Sequence, residues 1–329
     1  MTAMLATTNL SKTFSLKQGV LARAAAAIGL GASAPRKVYA VNEVSLEVAR
    51  GEVLGLVGES GCGKSTVGRM IAGLLPASAG SLAFEGADIT RPSVATHLKI
   101  QMVFQNPYAS LNPRHRIDQV VTEAAQYHGL VRKADSADFA AGLLRQVGLD
   151  PSYASRYPHQ FSGGQRQRIA IARALALDPR FVVCDEAVSA LDVSVQAQVL
   201  NLFMDLRESK GLTYLFISHN LAVVEYMADR VAIMYLGRIV EMADTQSIFA
   251  RAQHPYTQAL IADAPRLDTK VLEHRPIQGE LPSPLNPPGG CAFHPRCPHA
   301  MARCKTDIPV LLEGAPGHWS ACHLVHPAA

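Results

Sequence analysis

Two glycine-punctuated segments, one pair of adjacent carboxylates and a cluster of cysteines are the parts of this sequence that could do chemistry. Residues 58–66 read Gly58-Glu59-Ser60-Gly61-Cys62-Gly63-Lys64-Ser65-Thr66, which matches G-x-x-x-x-G-K-[ST]. Small residues let backbone N–H groups turn inward on phosphate oxygens, and the start of a following helix adds partial positive charge. Lys64 is then expected to reach the β- and γ-phosphates of a nucleotide, and the Ser65 hydroxyl to ligate Mg²⁺. Cys62 fills a free position of the motif and is read as incidental. The apolar run Phe181-Val182-Val183-Cys184 ends in Asp185 and Glu186. Asp185 suits holding Mg²⁺, mostly through water, and Glu186 suits polarising the water that attacks the γ-phosphorus. Phe161-Ser162-Gly163-Gly164-Gln165 is a second small-residue turn opening a helix, hence a second anion site by the same physics. One nucleotide does not need two phosphate sites so far apart in sequence.

These residues need strands that end at them and helices that begin at them. Val53–Val57 is an apolar run ending at Gly58, and residues 64–75 read as the helix that follows. Strands are also expected at 4–14, within 38–57, at 81–86 and 99–105, at Phe181–Cys184 and at Tyr214–Ser218, before His219. Helices are expected at Gly164–Leu177, Val193–Leu206 and Leu221–Met227, and a hairpin over 230–241 turning at Gly237. Residues 108–160 carry amphipathic stretches and few strand signals, which predicts a helical subdomain. Strands alternating with helices mean an α/β fold with a parallel sheet wrapped by helices. Residues 15–37 look like an inserted Ala- and Gly-rich loop. Residues 276–290 hold five prolines and three glycines and read as an extended linker.

With Phe161 in place of the usual Leu, residues 161–165 resemble the L-S-G-G-Q signature of the ABC ATPase family. The resemblance covers roughly residues 4–262. It implies a P-loop ABC ATPase domain with a parallel-sheet core, antiparallel strands and a helical subdomain. It also implies that Ser162, Gly163, Gly164 and Gln165 clasp the ATP of a facing subunit, so that two subunits sandwich two ATPs head to tail. On the same footing Tyr39 would stack on adenine, and Gln105 would sense Mg²⁺ and the attacking water. Ser189-Ala190-Leu191-Asp192 would couple the two sites, and His219 would contact the γ-phosphate. Ala187 stands where many members have Pro.

Within that family, three stretches are similar to the ATPase subunits of oligopeptide and dipeptide importers. They are Gln105 to Pro113, Ser189 to Leu200, and His254-Pro255-Tyr256-Thr257-Gln258-Ala259-Leu260. The tail around Cys291-Ala292-Phe293-His294-Pro295-Arg296-Cys297-Pro298 follows the same pattern. This implies an ATPase at the cytoplasmic face of the cell membrane, peripheral to it. Its partners would be a second, different ATPase subunit, two membrane-spanning permeases and, indirectly, an extracytoplasmic peptide-binding protein. Relatives that import nickel, glutathione or other small solutes share the machinery, so the cargo stays open. Non-transport ABC ATPases acting in DNA repair or on ribosomes carry tandem domains, coiled coils or basic arms, and none is seen here. The expected division is an ABC ATPase domain over 1–265, with its helical subdomain at about 107–165, and a C-terminal extension over 266–329.

Composition agrees with this outline. A chain of 329 residues exceeds the roughly 250–300 that one core usually holds, and 48% hydrophobic residues can fill a sizeable one. A net charge of +4 is too small to argue for nucleic acid. No run reaches the roughly 18 apolar residues of a membrane helix, and Ala24–Ala32, after Arg23, is no convincing signal peptide.

Cys291-x5-Cys297-x6-Cys304-x17-Cys322 places four thiols in a proline-rich segment with little apolar core, which something must staple. Four thiolates suit a [4Fe–4S] cluster, which the resemblance also implies. Structural zinc prefers C-x₂₋₄-C pairs, and none of the spacings is that short. Zinc and free or paired thiols remain the other readings, with disulfides disfavoured in a cytosolic setting. His294, His299 and His323 lie nearby and are expected at the surface.

Overall fold

The computed structural model describes residues 3–15, 37–91, 93–263 and 279–327. The expected insertion at 15–37 therefore lies, but for its two end residues, outside the described residues, as does the expected domain boundary at 265/266. Among the described residues no helix is long and apolar enough to cross a membrane.

The framework is an eight-stranded sheet in the order β11-β12-β10-β9-β3-β8-β7-β6. Its parallel part is built from β3 (Val53–Val57), β6 (Ile100–Val103), β7 (Phe181–Asp185), β8 (Thr213–Ser218) and β9 (Arg230–Tyr235). Every residue of β3, β7 and β8 is buried. Strands covered on both faces read as unbroken apolar runs, which is why these three were visible in the sequence. Register aligns their carboxyl ends: Val57 pairs with Ser218, Asp185 with Ile217, and Val103 with Cys184. Ligands of such sheets bind outside the carboxyl ends of strands. The alignment therefore delivers residues 58, 105, 186 and 219 to one rim.

A second, antiparallel sheet has the order β2-β1-β4-β5, with β1 at Ala3–Ser15, β2 at Lys37–Ala49, β4 at Ala79–Phe84 and β5 at Ala87–Asp88. Leu5, Leu10, Val44, Leu46 and Val48 of this sheet pack with Leu54 and Leu56 of β3 and with Val67 and Ile71 of the P-loop helix in one core. A separate core joins helices Ile117–Tyr127, Ser136–Gln146 and Gly163–Leu175 through residues such as Val121, Leu144 and Ile169. These helices form the expected helical region.

Local rules set several boundaries. β9 and β10 (Arg238–Asp244) are joined by Leu236 and Gly237, at φ 42° and 81°, the two left-handed positions that a two-residue hairpin turn demands. The helix Val193–Lys210 starts with Asp192, whose carboxylate accepts the Val195 N–H at 2.9 Å, and ends at Gly211 in the left-handed region. The helix expected over 64–75 stops at Ile71, with Gly73 following at φ 70°.

The C-terminal segment is not a free appendage. β12 (His318–Ser320) pairs antiparallel with β10, and β11 (Leu312–Ala315) with β12, so the tail widens the main sheet. Phe293, buried, packs edge-on against Tyr235 and is tilted against Tyr256, with centroids 5.3 and 5.4 Å away. Glu241, fully buried, accepts hydrogen bonds from the amides of Gln253 and His254 and lies 2.7 Å from His318 Nε2. That contact ties β10 to the tail through a buried polar group with satisfied oxygens.

Candidate nucleotide site and cysteine cluster

Gly58 leaves β3 where no side chain fits: a Cβ there would lie 2.1 Å from the Met234 carbonyl oxygen. Gly63 turns the chain into the helix Lys64–Ile71 at φ 112°, against the Ala40 carbonyl of β2, 2.2 Å from an ideal Cβ. No side chain caps this helix; the Thr66 and Val67 amides donate to the Gly63 carbonyl, and the Lys64 and Ser65 amides at its start suit an anion. Lys64 is buried, and its Nζ donates to the carbonyls of Gly58 at 2.7 Å and Glu59 at 3.0 Å. Cys62 is buried behind the loop, where burial pushes its thiol up, so it is an unreactive packing group.

The Ser65 hydroxyl donates to Asp185 Oδ1 at 2.7 Å. Burial pushes the Asp185 carboxyl above its ordinary value, against the lowering effects of the Ser65 hydrogen bond and the Arg69 charge. A buried carboxylate beside a serine hydroxyl is a hard-oxygen donor pair that a cation would stabilise, which fits Mg²⁺.

Glu186 follows at φ 49°, a strained backbone for a side-chain-bearing residue, held by its N–H bond to the Ile217 carbonyl at 3.0 Å. Its Oε2 accepts from Gln105 Nε2 at 2.8 Å and lies 3.3 Å from His219 Nδ1. Ser189 Oγ donates to the Glu186 carbonyl at 3.0 Å. The structure thus brings Gln105, Glu186, His219 and Ser189 together, beside Ser65 and Asp185. Such a carboxylate, oriented by an amide and an imidazole, can accept a proton from a water aimed at a phosphate.

Ser162 to Gln165 stand apart from this group. Ser162 and Gln165 form a reciprocal capping box, Gln165 N–H to Ser162 Oγ at 3.3 Å and Ser162 N–H to Gln165 Oε1 at 3.0 Å. Ser162 and Gly163 are exposed, while Gly164 is pressed on Val195, where a Cβ would come within 2.2 Å of Cγ1. The link to the P-loop side runs through residues 189–192: Ser189 touches Glu186, and Leu191 lies against Gly163. Ala190 and Asp192 are exposed beside them. Phe161 is buried against Tyr153, with centroids 5.5 Å apart. Ala187 is buried.

Tyr39, 43% exposed on β2, precedes Ala40, whose carbonyl lies against Gly63, and its N–H donates to the Pro284 carbonyl of the tail. Two further residues were missed in the sequence. The Glu59 N–H donates to Tyr256 Oη at 2.9 Å, and Arg296 Nη1 lies 3.0 Å from both Glu59 carboxylate oxygens. Nothing in the local sequence signals a contact spanning 237 residues.

Cys291, Cys297, Cys304 and Cys322 line one cavity of about 20 Å³, together with His294, His299 and His323. That is room for a single water-sized sphere. Backbone bonds gather the segments: Cys291 N–H to the Cys304 carbonyl, and His326 N–H to that of Cys322. As they stand, no three His, Cys, Asp or Glu side chains among the described residues are close enough together to hold a metal ion. Burial pushes the Cys291 thiol up to about 11 and also raises Cys297 and Cys322, so these thiols stay protonated without a cation. His323, expected at the surface, is buried, with Nε2 3.0 Å from the Asp307 carbonyl.

The fold is that of an ATP-binding cassette. The ABC transporter family model matches residues 41–189, and the model of the oligopeptide/dipeptide transporter C-terminal region matches 240–304. The dimeric structure of the cassette MJ0796 bound to ADP and Pi superposes with a TM-score of 0.62 at 25% identity, covering 74% of this chain and 99% of that one. Over 89% of its length the chain is 52% identical to the probable peptide ABC transporter ATP-binding protein y4tS of Sinorhizobium fredii, covering 84% of that protein. It is 49% identical to the oligopeptide transport ATP-binding protein AppF of Bacillus subtilis, over 87% of this chain and 90% of AppF. The chain belongs to the family of ATP-binding subunits of oligopeptide/dipeptide ABC transporters, and is accordingly an ABC-type ATPase.

Proposed function

We propose that this ATPase powers the import of peptides across the cytoplasmic membrane, docked on two permease subunits at the cytoplasmic face and fed by an extracytoplasmic binding protein. The observation that carries the chemistry is the convergence of Lys64, Ser65, Gln105, Asp185, Glu186 and His219 at the aligned carboxyl ends of β3, β6, β7 and β8. The names of the relatives support the cargo class. Residues 1–265 act as the ATPase domain and 266–329 as its extension.

Residues Gly58 to Thr66 cradle the phosphates, and Tyr39 carries the adenine ring. Ser65, Asp185 and Gln105 would hold Mg²⁺, whose chemistry there would be to neutralise phosphate charge. Lys64 must exchange its two loop carbonyls for phosphate oxygens, a swap favoured because the neutral acceptors are replaced by anionic ones. Glu186 takes the proton of the attacking water, with Gln105 and His219 fixing its orientation. Ser162 and Gly163 face outward, and the segment Ser162 to Gln165 serves the ATP of a second ATPase subunit, a different chain, with residues 189–192 reporting between the sites.

We assign a [4Fe–4S] cluster to Cys291, Cys297, Cys304 and Cys322. The support is the donor set, four thiols that line one cavity; binding a cluster requires them to rearrange around it, since as they stand no three such side chains among the described residues are close enough to hold a metal ion. Protein purified without oxygen should be brown, with about four irons per chain, and bleach on reduction; colourless protein with one zinc would replace the assignment.

The test of function is uptake by proteoliposomes holding the chain with its permeases, partner ATPase and binding protein. ATP-dependent accumulation of a labelled peptide is expected. Accumulation of nickel or glutathione without peptide would move the cargo assignment and leave the ATPase role in place.

A further inference from the structure

We propose that the C-terminal extension is a working part of the nucleotide site. Arg296 neutralises Glu59 of the P-loop and thereby sets the affinity for Mg·ATP. The inference rests on reading residues 58–66 as the ATP cradle.

A carboxylate is an awkward residue for a loop that must bind a polyanion, since like charges at short range repel. Glu59 is three-quarters buried, and Arg296 is 6% exposed with Nη1 at 3.0 Å from both carboxylate oxygens. Screening by solvent is therefore weak, and the pair counts for more than a surface one. The Glu59 peptide is also held on both sides: its N–H donates to Tyr256 Oη, and its carbonyl accepts from Lys64 Nζ at 3.0 Å. The lysine that reaches for phosphate thus rests on the residue that Arg296 holds.

Arg296 is itself fixed. It lies 3.4 Å from Tyr235 Oη, and Tyr235, Tyr256 and Phe293 form a buried aromatic cluster with centroids 4.6 to 5.4 Å apart. Cys297 is the next residue along the chain, so the same ion pair ties the thiol cavity to the phosphate loop.

The test is Mg·ATP binding by calorimetry on the full chain, with melting curves as the check on folding. Arg296→Gln should weaken binding by about tenfold, the worth of one charge-assisted hydrogen bond. Arg296→Lys should keep most of the affinity. The double change Arg296→Gln with Glu59→Gln should return it to within about threefold of wild type, because no uncompensated carboxylate then remains on the phosphate loop. Recovery of that kind is not expected of a residue that merely supports the fold. If Arg296→Gln does not fold, Arg296→Lys and the double variant carry the test. Wild-type affinity in Arg296→Gln, or a double variant as weak as the single one, would overturn the proposal. Lys64→Ala is the control: retained binding there would instead remove the ATP-site reading on which the proposal stands.

Discussion

Replacing Glu186 by glutamine should separate turnover from binding. The backbone there is held by the Glu186 N–H bond to Ile217 and by the Ser189 hydroxyl on its carbonyl, neither of which involves the carboxylate. Glutamine has the same shape and can keep one hydrogen bond to Gln105 by turning its amide oxygen to the donor now at 2.8 Å. What it cannot do is accept a proton from water. A positioned general base is worth about 10²–10⁴ in rate, or roughly 3–5 kcal/mol of barrier. Turnover in the assembled transporter, followed by phosphate release, should fall by that factor. Mg·ATP affinity should stay within about threefold, since Lys64, Ser65 and the loop amides make no contact with the Glu186 side chain. ATP should then hold the two ATPase subunits closed, seen as nucleotide-dependent association. Turnover near wild type would refute the assignment of the base. Loss of binding together with turnover would refute the division of labour.

Two further outcomes follow from the tail. Phe293→Ala removes a buried ring from the cluster of Tyr235, Tyr256 and His254 and should cost about 3–5 kcal/mol in urea unfolding, with the loss of Arg296 from its seat seen as weaker ATP binding. Burial lowers His254 to about 4, below its ordinary 6.5. The unfolded chain therefore binds more protons between those values, and stability is lost as pH falls through that window. The wild-type chain should be about 2 kcal/mol less stable at pH 5 than at pH 7 from this group alone, and His254→Gln should lack that segment of the urea-midpoint profile.

The catalytic rim was legible because its residues sit next to strong local signals. Val53–Val57 and Phe181–Cys184 are apolar runs that only a strand buried on both faces explains, and Gly58, Asp185 and Glu186 mark their ends. The turn at Gly237 was legible for a similar reason, since few residues tolerate positive φ there. The helices Thr245–Arg251 and Pro255–Asp263 were not read; the second mixes apolar and polar residues with almost no helical periodicity. The strands of the tail were not read because β11 and β12 are only four and three residues long, and β12 pairs with β10, some eighty residues earlier. The Arg296–Glu59 pair was invisible for the same reason: a single arginine and a single glutamate carry no periodicity, and only the folded sheet brings them together.

The most direct test of the central claim is Mg·ATP hydrolysis by the assembled transporter containing either the wild-type chain or Lys64→Ala, each paired with the same partner subunit carrying an inactivated base. Mg²⁺-dependent turnover is expected with the wild-type chain and its near-complete loss with Lys64→Ala, alongside a fall in ATP affinity. Equal turnover and equal affinity in the two assemblies would contradict this.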